Sequence, residues 1–149
     1  MANDARERLL ADMQFGSGAI SVTPSGTLIG GTFAPITWFL GMSKTPPNED
    51  GTNFTEPVGL GYGRVSVVND FTKFRAAVTN LGVTTKTNLA KLTFANPTGN
   101  WGLLTHFGWF TTSSGGIPEY HDELDVPITV QNGNTPVEFD IDQLVMVWD

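Results

Sequence analysis

The sequence predicts a mainly β protein, an antiparallel β-sandwich or flattened barrel with one N-terminal α-helix. Three observations carry that reading. Residues 101–110, WGLLTHFGWF, alternate as a strand does, with Trp101, Leu103, Thr105, Phe107 and Trp109 on one face and Gly102, Leu104, His106, Gly108 and Phe110 on the other. At roughly 150–250 Å² per buried aromatic, the first face could anchor a core by itself. The chain is also turn-rich: 17 glycines and 9 prolines stand among 149 residues, of which 15% are charged, a composition that suits neither a helical bundle nor a charged disordered chain. Finally, short alternating runs recur between turn signals along most of the length.

Taken in order, residues 3–15 are the helix candidate. Asn3 can cap, Asp4 lies near the positive end of the dipole, and Gly16 and Gly18 stop the run. Leu9, Leu10 and Met13 make a narrow apolar stripe, suited to packing on the domain or to docking on a neighbouring subunit. Residues 17–35, rich in Gly, Ser, Thr and Pro, read as an irregular connector. Residues 36–42 then alternate, with Ile36, Trp38, Leu40 and Met42 on a core face, and run into a polar loop over 44–51. Asn48, Asp50 and Asn53 invite a calcium reading, but the spacing lacks the closing Glu of an EF-hand loop, and a polar turn explains them.

GYGRVSVV at 61–68 reads as a second strand, and residues 69–85 as a wandering loop or short helical turn carrying Phe71, Phe74, Val78 and Leu81. Ala90, Leu92 and Phe94 mark a short strand. After the 101–110 strand, the Ser-Ser-Gly-Gly of 113–116 suggests a hairpin whose return strand is 119–126, with Tyr120, Leu124 and Val126 on one face. Its other face holds Glu119, His121, Glu123 and Asp125. Three of these would suffice to hold a cation, and a His beside carboxylates is also a general-base motif, but the wet face of an antiparallel strand accounts for them. His106 reads as a structural histidine. The Asn-Gly of 132–133 predicts a type I′ hairpin joining 128–130 to 137–141. In 144–148 both faces are apolar, Leu144, Met146 and Trp148 against Val145 and Val147, so the strand should be buried on both sides or covered by a partner.

Composition limits the function. A net charge of −7, with 8 scattered Lys and Arg, argues against nucleic acid, which needs clustered cations. The absence of cysteine removes disulfides and thiolate sites. No run approaches the roughly 18 apolar residues of a membrane span. The charged start of the chain does not read as a secretory signal. No Ser-His-Asp arrangement, zinc-type spacing or cofactor fingerprint is present, so neither a catalytic residue, a metal nor a cofactor is expected.

The order of landmarks is more specific than any one of them. The chain offers Leu9-Leu10, WFLGMS at 38–43, NEDGT at 48–52, TEP at 55–57, GYGRV at 61–65, TKTN at 85–88, Thr93-Phe94, WGLLTHFGWF at 101–110 and NGNT at 132–135. This series resembles a family of small bacteriophage virion proteins commonly labelled tail-fibre proteins. Their pattern runs from a helix ending in a Leu-Leu pair, through a Pro-Asp-Gly-Thr loop and a Gly-Gly-Tyr-Ala-Arg-Val strand, to a Trp-Gly-Thr-Val-Thr-His-Phe-Gly core. An insertion around 25–35 and a distinctive hairpin at 115–125 depart from it.

The resemblance implies a non-enzymatic virion protein assembled in the bacterial cytoplasm. A compact chain without shaft repeats favours a capsid-surface decoration or cement protein. A tail or tail-fibre component and a host-surface carbohydrate-binding module are the alternatives. The expected organisation is a helical arm at 1–20 and one β-sandwich domain at 21–149. The expected partners are further copies of itself, as a trimer, and the major capsid or other virion proteins. Leu9, Leu10, Met13, Phe15, Val145 and Val147 are the expected assembly residues.

Overall fold

The computed structural model describes residues 15, 19–22, 29–32 and 36–148. The expected N-terminal helix lies outside them. Among the described residues the protein is mainly β, with eleven strands and no helix. They are β1 (Ala19–Val22), β2 (Ile29–Thr32), β3 (Thr37–Ser43), β4 (Val65–Val68), β5 (Val78–Asn80), β6 (Val83–Thr87), β7 (Leu92–Thr93), β8 (Gly102–Phe110), β9 (Tyr120–Val130), β10 (Glu138–Phe139) and β11 (Val145–Trp148). The chain divides into two compact units, each assembled from separated segments: 1–36, 68–90 and 140–149 in the first, 37–67 and 91–139 in the second.

The second unit is built on the sheet β4-β3-β8-β9, with the pair β10-β7 beside it in the same unit. β3 and β8 are antiparallel, with Leu40 opposite Trp109 and Met42 opposite Phe107. Trp38, Leu40, Met42, Leu104, Phe107, Trp109 and Phe110 are all buried, so the 101–110 run is the core strand that its aromatics predict. Its single-phase wall is not observed. Leu103 is 50% exposed while Leu104 is fully buried. Gly102 takes φ +90°, which turns Trp101 out of phase with the strand, and the β8–β9 register shifts between Leu104 and His106. Beyond that shift both faces are covered, which is why Phe107 and Phe110, of opposite parity, are both buried.

β9 also departs from expectation. It extends to Val130, and its pairing skips residues 124–127, since Ile128 lies opposite Leu104 but Glu123 lies opposite His106. Pro127, which has no N–H for a ladder, sits in this bulge, and Val126 faces solvent rather than sharing a face with buried Leu124. The hairpin expected between 128–130 and 137–141 does not form. β10 pairs instead with β7, Glu138 opposite Thr93 and Phe139 opposite Leu92. At the Asn-Gly turn only Gly133 has positive φ, whereas a type I′ turn needs it at both central residues, so the chain turns without aligning the two strands.

The first unit holds the hairpin β1-β2 and the sheet β11-β6-β5. The reading of 17–35 as an irregular connector is thereby corrected: β1 and β2 pair antiparallel from Ala19 opposite Thr32 to Val22 opposite Ile29. The glycine, serine and threonine of that stretch hid two four-residue strands with Ile20, Val22 and Ile29 at strand positions. The wandering loop at 69–85 also resolves into a hairpin, β5-β6, closed by Leu81 and Gly82 at φ +51° and +85°. Two positive φ values are the type I′ geometry, but with Leu where Asn is usual the turn carried no sequence signal. Phe15, Phe74, Leu144 and Met146 form the buried side of this unit, with Phe15 ring centroids 5.4 Å from Phe74 and 6.1 Å from Trp148.

Two stability measurements check this account. Phe107→Ala leaves a cavity under the β3–β8 pair and should cost roughly 3–5 kcal/mol in urea unfolding; a loss under about 1 kcal/mol would place Phe107 outside the core. Leu81 is 98% exposed in a left-handed conformation that a branched apolar side chain dislikes. Leu81→Asn should therefore raise stability, by about 0.5–1 kcal/mol.

Candidate functional site

The most highly organised polar group in the second unit lies over the middle of β3 and β8. Gly41 and Gly108 face each other there, and the missing side chains leave a trough. A Cβ at Gly41 would stand 2.8 Å from Glu56 Oε1 and 2.9 Å from the Phe110 ring; one at Gly108 would stand 2.7 Å from the Phe54 ring. The segment 54–64 therefore lies against the sheet only because these positions are glycine. Gly108 thus leaves room for the Phe54 ring, whereas no such close approach occurs at Gly102.

Glu56, Tyr62 and Arg64 hold this segment down. Arg64 donates from Nε to Glu56 Oε1 at 2.9 Å and from Nη2 to Oε2 at 2.7 Å, the two-pronged geometry that a carboxylate favours. Its Nη1 donates to the Thr112 carbonyl at 2.8 Å, and the guanidinium carbon lies 3.3 Å from the centre of the Phe110 ring. The Arg64 side chain is 2% exposed and that of Glu56 23%. Tyr62 donates to Glu56 Oε1 at 2.7 Å and accepts from the Met42 amide at 2.8 Å. Burial, and next the Glu56 charge, push the Tyr62 hydroxyl well above its ordinary value, keeping it a neutral donor. Its ring stacks on Phe94 and meets Trp101 edge-on, and Trp101 donates to the Leu60 carbonyl. The guanidinium, carboxylate and hydroxyl are bonded to one another and to the backbone, so the arrangement fixes a fold feature.

The polar row of β9 is less connected. In register, His121 lies opposite Gly108 and Glu123 opposite His106, whose Nδ1 is 2.8 Å from the Thr105 hydroxyl. Among the described residues no group of three His, Asp or Glu is arranged to hold a metal ion. Asp50, in the candidate calcium loop, instead accepts from the Thr52 hydroxyl and amide, which hold its carboxyl below the ordinary range. Among the described residues no helix is long and apolar enough to cross a membrane.

Of the expected assembly residues, Leu9, Leu10 and Met13 lie outside the described residues. Phe15 is fully buried in the first unit against Phe74 and Trp148. Val145 and Val147 are on β11, where Met146 between them is buried, Val145 is half-buried and Val147 is 40% exposed. In register Val147 lies opposite Thr85, and Thr85 lies opposite Val78, so the three make one row across the sheet. Val78 and Val83, 60% and 38% exposed, belong to this face but were not legible as such, because the turn joining their strands carries an atypical residue pair. At one rim Asp142 accepts from Arg75 Nη2 at 2.7 Å and from the Thr87 hydroxyl at 2.6 Å, contacts that hold its carboxyl down at about 2.

Replacing Tyr62 by Phe tests the buried cluster. It removes the Met42 and Glu56 bonds and should cost about 1–3 kcal/mol at neutral pH. The raised Tyr62 value makes its contribution full below the ordinary tyrosine value of 10.0 and lost as pH rises beyond it. Stability profiles should accordingly show a steeper alkaline decline in the native chain than in Tyr62→Phe; identical slopes would refute the assignment.

No curated protein matches the chain. Residues 27–147 match the family described as Podophage GP4 fiber I protein gp80, from before β2 to within β11. The resemblance to phage tail-fibre proteins, carried by motifs of which all but Leu9-Leu10 lie in the same span, is thus borne out. The chain belongs to the Podophage GP4 fiber I protein gp80 family.

Proposed function

We propose that this protein is a non-enzymatic structural subunit of a bacteriophage particle, carried in its tail fibre. The family match over residues 27–147 is the observation that supports this reading, and the fibre in the family's description favours the tail over the capsid surface. In this reading the chain self-associates, as a trimer, and binds other virion proteins. It needs no cofactor, and residues 1–14, ahead of the buried Phe15, act as an arm on the antiparallel β fold. The second reading, a cement protein on the capsid, draws on the lack of shaft repeats in a chain of 149 residues.

Imaging purified particles by cryo-electron microscopy, with mass spectrometry of their proteins, separates the two. Density for this chain in the tail fibre is expected. Density on the capsid lattice would replace the fibre assignment with the cement one, and absence from particles would end both.

The arm can be tested apart from the core because Phe15, a buried ring, marks where the core begins. Deleting residues 2–14 should leave the far-ultraviolet circular dichroism and melting temperature near those of the full chain, while weakening oligomerisation or particle attachment by tenfold or more. Unchanged assembly would remove residues 1–14 from the interface.

A further inference from the structure

We propose that the outward face of the β5-β6-β11 sheet is where a second copy of this chain docks. The proposal deepens the self-association reading above by naming the surface. Its centre is the row Val78, Thr85 and Val147, flanked by Val83 on one side and by Val145 and Thr87 on the other. The opposite face of the same strands carries Thr84, Lys86 and Met146, all buried, so the exposed valines are not a core left open by chance register. β-branched side chains have few rotamers to lose, so ordering them at an interface costs little entropy.

Charge identifies the occupant. Among its described residues the first unit balances Lys73, Arg75 and Lys86 against Asp70, Asp140 and Asp142. The second unit sets eight carboxylates against Lys44, Arg64 and Lys91. Copies of a chain of net charge −7 repel each other most through the second unit and least through the first. The six side chains of the proposed surface carry no charge, and Asp142 at its rim is compensated by Arg75. Around a rotation axis the same residues of each copy converge, so symmetric packing needs a patch that tolerates its own image. An apolar centre with a paired polar rim meets that need, and it has the anatomy of protein interfaces. A basic partner would be drawn instead to the second unit.

The chain has no cysteine, which makes the test direct. In the full-length protein, Val78→Glu combined with Val147→Glu should lower the mass in sedimentation equilibrium toward the monomer, with at least a tenfold weaker dissociation constant. Val126→Glu, at an exposed bulge position of the second unit, should leave it unchanged. A single cysteine introduced as Thr85→Cys should be joined to another copy by a short bis-maleimide, and one introduced as Val126→Cys should not. This second experiment decides the matter if the double glutamate variant misfolds. The proposal is overturned if the native chain sediments as a monomer at every concentration, if the folded double variant keeps the native mass, or if position 126 cross-links as readily as position 85. A monomer in solution whose valine face is protected from hydroxyl-radical labelling only in particles would assign the face to a different virion protein. None of these results bears on whether the chain is found in the fibre, which imaging of particles reads independently.

Discussion

The second unit depends on how one buried guanidinium is satisfied. Arg64 is almost wholly removed from water, and such a charge is tolerated only when its donors are used and an opposite charge is close. Glu56 takes two of its donors, the Thr112 carbonyl a third, and the Phe110 ring covers one face. Each of these partners is set by a different part of the chain. Segment 54–64 supplies both members of the ion pair, and the turn after β8 supplies the carbonyl. The glycine pair at 41 and 108 supplies the space in which they meet. A side chain at either glycine would push the segment off the sheet, and with it Tyr62, whose hydroxyl joins the pair to the β3 backbone.

The same economy shapes the aromatic groups. Tyr62, Phe94, Trp101 and Phe139 make one connected set, in which Tyr62 stacks on Phe94 and the other contacts are edge-on. This set joins the β7-β10 pair to segment 54–64 and to the residue preceding β8, which compensates for strands of only two residues. Short strands have little ladder of their own, and packing rather than hydrogen bonding fixes where they lie.

β9 shows how an edge strand is kept from pairing with strangers. It is the longest of the described strands and lies at the end of its sheet, an arrangement open to edge-to-edge association. The bulge at 124–127, Pro127 within it and the acidic residues Asp122, Glu123 and Asp125 make this edge a poor template. The first unit presents the opposite character, a short sheet with an uncharged valine and threonine face. For a protein of a fibre family, which has to associate in some directions and not in others, that contrast is the informative feature.

By itself the sequence determined the mainly β class and the two core strands at 37–43 and 102–110, because period-two burial of large side chains is a local signal; that the two pair with each other is a finding of the structure. It also located the 113–116 connection and, through the order of its motifs, the family. The tertiary structure decided what depends on distant segments. Asn-Gly at 132–133 announces a turn but not that the next strand will pair with β7, because strand choice rests on contacts some 45 residues away. The phase of Leu103 and Leu104 followed from a glycine with positive φ and a bulge imposed by the partner strand, neither visible in alternation. Arg64 stands in a run, 61–68, that reads as a strand; the strand begins only at Val65, and Arg64 is the buried centre of a unit. A charged side chain is placed inside only when carboxylate, carbonyl and ring arrive from elsewhere in the chain, and no local pattern records their arrival.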